Sequence, residues 1–294
     1  MTHQPTASQI AALSGRRPIP ELRFMHIEGV IAKLASASSP RPPTVWAVLT
    51  RPLPFLWLFD RMLLRGIVLV ARRKVRAIEG IERVLSPQPF ILAFNHSTRR
   101  EALLVPALLV FHRGGRLIHF WSDWMFRLMP GIGLLLGRAG TIVVTTKPAR
   151  YRVLNLFRRF FLHALPPLDQ ARGLLATGNA VGAFPEGTVN RDPARLLPGR
   201  LGTARLSLET GMPILPAGIR FPDVTAGAPV PEKAAMEIVI GAPLQPPPRR
   251  PGARPTLAEV RAWHAVVMGE IARLSGKSWQ AASSDGAEAD SFAV

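Results

Sequence analysis

A chain of 294 residues can bury a full core, and its apolar segments recur without a clear break from about Val75 to Ile240, which favours one large domain. With no cysteine it has no disulfide framework, no cysteine metal site and no cysteine nucleophile. A formal net charge of +18 draws it toward phospholipid headgroups, nucleic acid or phosphorylated metabolites, and a hydrophobic fraction of 48% is high for a freely soluble protein. Arginine far outnumbers lysine, so part of that charge is compositional.

Residues 1–43 read as a weakly ordered arm and linker. "ELRFMHIEGVIAKLA" has the pattern of a short helix, and "ASASSPRPP" that of a Ser/Pro-rich connection. No continuous apolar stretch near the N-terminus resembles a cleavable signal, so the chain is expected to stay on the cytosolic side. Residues 44–72 are rich in Trp, Phe and Leu but are cut by Arg51, Asp60, Arg61 and Arg65. A spanning helix needs about 20 mostly apolar residues. The segment fits an interfacial helical pair better, with aromatics in lipid and arginines at the headgroups. The competing reading is two core helices whose arginines face water.

From 73 to 245 short β-rich runs alternate with helical ones. "KVRAIEG", "FILAF", "LIHFW", "TIVVTT", "AVGAF", "PILPAGI" and "MEIVIG" predict strands. "TRREALLVPALLVF", "ARYRVLNLFRRFFLHA", "LDQARGLLATG" and "GRLGTARLSLETG" predict helices, the last two ending in glycine. The fold class is therefore α/β, a largely parallel sheet flanked by helices. "ALLVPALLVF" and "LMPGIGLLLG" are too short to span a bilayer and read as buried or lipid-facing pieces of that fold. A Pro-rich break precedes a final amphipathic helix over 256–275. Thr256 and Glu259 have capping-box spacing, and Leu257, Val260, Val267, Ile271 and Leu274 form its apolar stripe. The polar tail 276–294 is expected to be disordered.

Chemistry concentrates in two loops. In "ILAFNHSTRREALLV", His96 follows a predicted central strand and Glu101 opens the next helix. Ligands of an open α/β sheet bind at the C-terminal ends of its strands. Positions five apart diverge by about 140° on a regular helix. The two side chains meet only if His96 sits in the loop and the chain curls Glu101 back beneath it. A carboxylate on one ring nitrogen fixes the tautomer and raises the basicity of the other, which then takes a proton from a hydroxyl. The plainer alternative is a core histidine near a Glu paired with Arg99 or Arg100. The second loop, "GAFPEGTVNRD", follows another apolar strand. There Gly187 and Thr188 offer backbone N–H groups to an anion or oxyanion, and Glu186 is placed to hold a substrate hydroxyl or a nearby arginine.

Other residues carry less. His112 and His119 lack acidic or thiol partners at metal-ligand spacing, so no metal is expected. "PARYRVLNLFRRFF" interleaves arginine with aromatics in a way that could grip RNA, but its spacing fits a packed helix with a basic face. Ser97 has no base other than its own neighbour.

On these motifs the chain resembles the glycerolipid acyltransferase family, the 1-acylglycerol-3-phosphate and lysophospholipid acyltransferases of phospholipid biosynthesis. "FNHSTRRE" is similar to the catalytic block of Asn-His, four residues and an acid, "FPEGT" to the substrate-binding block, "GTIVV" to the strand block between them, and "MPILPAGI" to the final block. The resemblance implies acyl transfer from a thioester, on coenzyme A or acyl carrier protein, to a lysolipid hydroxyl, without a cofactor. His96 is then the general base and Glu101 its orienting partner. Three departures stand out. The family's acid is usually Asp, Val189 stands where an Arg follows the Glu-Gly-Thr turn, and Thr146 replaces the strand block's Arg. Lys147 and Arg191 are the cations left to meet an acceptor phosphate.

The expected protein is a monotopic enzyme on the cytoplasmic face of the inner membrane. Its partners are membrane phospholipids, the thioester donor and the lysolipid, not nucleic acid. The acyl chain is expected in a groove lined from "ALLVPALLVF" and "WMFRLMPGIGLLLG". The rival readings are a non-catalytic lipid-binding relative of the same fold and a basic nucleic-acid-binding protein.

Overall fold

The structure, a computed structural model, describes residues 41–129, 131–145, 148, 154–161, 165–225, 227–250 and 254–281. The first forty residues, including the helix expected in "ELRFMHIEGVIAKLA", lie outside the described residues, as do Thr146, Lys147 and 282–294.

In chain order the elements are α1 (Val45–Thr50), α2 (Leu58–Ala71), β1 (Val75–Glu79), β2 (Ile91–Phe94), α3 (Glu101–His112), β3 (Ile118–Asp123), α4 (Ile132–Arg138) and β4 (Ile142–Val144). Then follow α5 (Asn155–Arg158), α6 (Pro167–Ala176), β5 (Ala180–Ala183), α7 (Gly202–Thr210), β6 (Ile214–Arg220), β7 (Met236–Ile240) and α8 (Leu257–Ser275). All seven strands expected from the sequence are present in one sheet of order β1-β7-β6-β2-β5-β3-β4. Every neighbouring pair is parallel except β6 with β7.

The sheet is covered on both faces, which is why its strands read as nearly continuous apolar runs. Alternation along β2 sorts the layers. Leu92 and Phe94 pack with Val68, Val105, Leu108 and Phe111 beneath α2 and α3, while Ile91 and Ala93 pack with Leu175, Ala204, Leu208, Val267 and Ile271 of α6, α7 and α8. The expected stripe on α8 is buried except for Leu257, which is exposed, and Trp263 and Met268 join it in the core. Thr256 and Glu259 form the capping box. The end of α8 lies directly on β6: a methyl group added at Gly218 would come within 2.2 Å of the Leu274 backbone. Only glycine admits that approach.

Two expectations require correction. The tail is ordered at its start, where Ser278 N–H donates to Ala194 O (2.8 Å), Leu196 N–H donates to Ser278 O (2.9 Å), and Lys277 is buried. The arginines of the helical pair are not left to headgroups. Arg65 donates to Val48 O (3.1 Å) and Arg51 O (3.2 Å), Arg61 donates to Leu56 O (2.8 Å), and Arg51 meets His112 Nδ1 at 3.4 Å. These bonds fix α1 against α2 and α3. The outer face keeps its apolar side chains exposed, with Trp46, Trp57, Leu58, Phe59 and Met62 all more than half accessible. Among the described residues no helix is long and apolar enough to cross a membrane.

Candidate active site

The connections leaving β2 and β5 diverge. From β2 the chain passes through α3 to β3, beyond β5, and from β5 it passes through α7 to β6, on the far side of β2. The two strands are adjacent, with Ala93 paired to Ala183. Their C-terminal ends therefore mark a topological switch point, where α/β sheets bind ligands.

Asn95 locks the first loop to the sheet. Its Oδ1 accepts the Ile219 N–H (2.7 Å) and its Nδ2 donates to Ile219 O (3.1 Å), so a side chain extends the β6 ladder by one position. His96 comes next, and Nδ1 lies 2.9 Å from Glu101 Oε1. The contact that spacing alone left open is made because the chain from Ser97 to Arg100 turns back on itself. The same Oε1 accepts the Ser97 N–H, and Thr98 Oγ1 accepts the Glu101 N–H at 3.3 Å. Thr98 and Glu101 thus have capping-box spacing at the start of α3, with the carboxylate reaching one residue further back than usual. An acidic side chain at a helix N-terminus is also favoured by the macrodipole.

Glu101 is completely buried, and burial pushes its carboxyl above the ordinary range against the opposing pull of His96 and the Thr98 and Ser97 backbone. We take it as the acceptor partner of His96: Oε1 already accepts the Ser97 N–H, and a carboxylate there requires the proton on His96 Nδ1. With Nδ1 engaged, Nε2 is the ring nitrogen left for a substrate proton. The imidazole rests on Phe184, ring centroids 4.3 Å apart, and Phe184 is packed edge-on against Phe94 at 4.5 Å.

The second loop is a tight turn. Gly187 N–H donates to Phe184 O (2.9 Å) across Pro185 and Glu186, and Gly187 has φ +67°. That bond corrects the expectation that Gly187 presents its N–H to a ligand. Thr188 N–H has no acceptor among the described residues. Glu186 is likewise not turned toward a substrate. Its Oε1 accepts the His96 N–H (2.9 Å), and its Oε2 accepts Asn190 Nδ2 (2.8 Å) and the Leu197 N–H (2.9 Å). It ties the two loops together, reinforced by Asn190 N–H to His96 O (2.7 Å).

Of the two cations expected at an acceptor phosphate, Lys147 lies outside the described residues. Arg191 is on the surface, with Nη2 2.5 Å from Glu232 Oε1. A third cation escaped the sequence reading. Arg200 covers Gly187 so closely that an added methyl group would lie 2.5 Å from its Nε, and its N–H donates to Pro185 O (2.7 Å). Lys277 was missed too, and its Nζ donates to Ser97 Oγ at 2.8 Å.

An apolar slot runs along α3, whose first lining residue is Ala102. Ala102, Leu103, Pro106 and Ala107 of α3 form one wall and Leu135 and Leu136 of α4 another. The expected groove thus has both of its predicted sides, and α2 adds a third through Leu63, Leu64 and Ile67. Asp60 and Arg138 pair across it, with Nη2 3.0 Å from Oδ2. Elsewhere His119 Nδ1 lies 2.8 Å from Gly140 O, and among the described residues no group of three metal-ligating side chains occurs.

The family model described as Acyltransferase matches residues 72–220, just over half of the chain and all of the strands that carry these loops. Among solved structures the chain is similar to the 1-acyl-sn-glycerophosphate (LPA) acyltransferase PlsC from Thermotoga maritima, at 17% identity and a TM-score of 0.49, covering 88% of this chain and 99% of that one. No curated protein matches the sequence.

Proposed function

This chain belongs to the Acyltransferase family, and from that premise we propose that it esterifies a lysolipid hydroxyl, with a fatty acyl group drawn from a thioester of coenzyme A or acyl carrier protein. The observation that carries the reading is the 2.9 Å contact between His96 Nδ1 and Glu101 Oε1, on the loop that leads into the helix α3 lining an apolar slot. His96 Nε2 takes the proton of the acceptor hydroxyl as its oxygen attacks the thioester carbonyl. Glu101 holds the ring and stabilises the imidazolium that forms. Collapse of the tetrahedral intermediate expels the thiolate, which leaves with the proton from the imidazolium. No acyl-enzyme forms, in keeping with a chain that has no cysteine.

The acyl chain lies in the slot between α2, α3 and α4, so its carbonyl carbon comes to rest near His96. Thr188 N–H is the turn donor assigned to the oxyanion. Arg200, against Gly187, is the cation nearest that turn and the first candidate for an anionic headgroup; Arg191 and Lys147 are the others. The exposed aromatics of α1 and α2 rest in the interface of an anionic membrane, on the cytoplasmic side, without spanning it.

The test is a turnover assay in mixed micelles with labelled acyl-coenzyme A or acyl carrier protein and a panel of lysophosphatidic acid, other lysophospholipids and neutral lipid alcohols. Ester formed on a lysophospholipid supports the reading, and loss of that preference in Arg200→Ala supports the headgroup assignment. Acylation of the neutral alcohols alone would overturn the acceptor class.

A further inference from the structure

Glu101 and Glu186 are sunk beneath His96 at 0% and 5% exposure, and among the described residues neither is ion-paired with an arginine. Two carboxylates in one interior space repel each other, and each loses hydration that a nearby cation offsets. The cation comes from the far end of the chain. After α8 stops at Gly276 (φ +73°), the backbone pairs with 194–196 and drives Lys277 inward to 8% exposure. Its Nζ donates to Ser97 Oγ (2.8 Å) and to Asp192 O (2.7 Å).

Ser97 is the link between the cation and the site. Completely buried, it gives its N–H to Glu101 Oε1, the oxygen that holds His96, while its hydroxyl receives Lys277. Asp192 belongs to the loop that Glu186 and Asn190 tie to His96. Lys277 therefore touches both loops that frame the histidine. Burial draws its ammonium below the ordinary lysine value, and the charges of Glu186, Glu101 and Asp192 hold it up.

We propose that Lys277 is a positioning residue for acyl transfer, acting through Ser97 to fix the His96 loop and placing a cation near the buried Glu101 and Glu186. The inference rests on the reading of His96 as the base. Lys277 touches no substrate, so its effect falls on kcat and passes through Glu101.

A double-mutant cycle on the full chain tests this. Lys277→Met keeps the length of the side chain and removes the charge. We expect kcat to fall about tenfold or more, with KM for donor and acceptor held within about twofold; the melting temperature should fall as well, because taking one partner from a buried set of charges leaves the others uncompensated. In a Glu101→Gln background the same substitution should cost less than about twofold, since the carboxylate it serves is gone. A wild-type kcat in Lys277→Met, or an equal loss in both backgrounds, overturns the proposal. If Lys277→Met does not fold, Lys277→Gln keeps a donor for Ser97 and carries the same comparison. His96→Ala separates the two claims: an active His96→Ala removes the base reading itself, whereas an inactive one beside a normal Lys277→Met removes only the inference about Lys277.

Discussion

Replacing Glu101 with glutamine removes a charge while leaving the shape of the loop intact. The amide oxygen takes the place of Oε1 and still accepts both the His96 Nδ1–H and the Ser97 N–H, and the amide NH2 faces Thr98 Oγ1, which lies 3.4 Å from Oε2. The fold and tautomer should survive. Because burial opposes the carboxylate, stability should hold or rise. What disappears is the attraction between Glu101 and the imidazolium as it forms. At 2.9 Å and an effective dielectric of about 20, that attraction is about 6 kcal/mol before compensation by solvent and neighbours. General-base assistance is typically worth about 10² to 10⁴ in rate, or about 3 to 5 kcal/mol. The expected result is a kcat lower by about a hundredfold or more, with KM within about twofold, measured by initial rates of labelled ester formation. A Glu101→Gln enzyme that keeps a third of its turnover would refute the role given to this carboxylate.

Burial and the Arg51 guanidinium push His112 down to about 3 from its ordinary 6.5. Stability stored in the neutral ring is therefore present above pH 6.5 and lost as the pH falls toward 3. Relative to His112→Gln, the wild type should lose about 2 kcal/mol between pH 6.5 and 4.5, read from urea midpoints; parallel curves would contradict this. Ala107→Phe fills the slot along α3, so kcat/KM should fall about tenfold or more for long-chain donors and much less for short ones. An even loss across chain lengths would place the acyl chain elsewhere. Trp57→Ser with Met62→Ser takes two exposed apolar anchors, one just before α2 and one within it, and should weaken binding to anionic vesicles by about tenfold or more, by flotation, without changing the melting temperature. Unchanged binding would remove this face from the membrane interface.

The parts of the fold read correctly from the sequence are those governed by local pattern. Each strand is a short branched or aromatic run between turn residues, and the ends of α6 and α7 are marked by Gly178 and Gly211, both with positive φ. The His96–Glu101 contact was legible as a condition, because five-residue spacing forces a loop, and "TRRE" supplies the cap that makes it. Glu186 was misread because a carboxylate after a strand looks the same whether it faces a ligand or the neighbouring loop, and its three donors come from residues 96, 190 and 197. Lys277 was invisible for a related reason. Its partner Ser97 is 180 positions away, and nothing in "GKSWQ" encodes that pairing. The arginines of α1 and α2 have charge enough for headgroups, but the backbone carbonyls exposed where two short helices meet bind them first.

The central claim is that His96 takes the proton from the acceptor hydroxyl. The most direct test is a single-turnover experiment in mixed micelles, with labelled acyl thioester and lysophospholipid mixed with excess wild-type or His96→Ala enzyme and the ester followed in time. With the melting temperature and donor binding of the variant unchanged, ester formation should fall by about three orders of magnitude, in the range of a lost general base. Ester appearing at the wild-type rate without the imidazole would contradict the account.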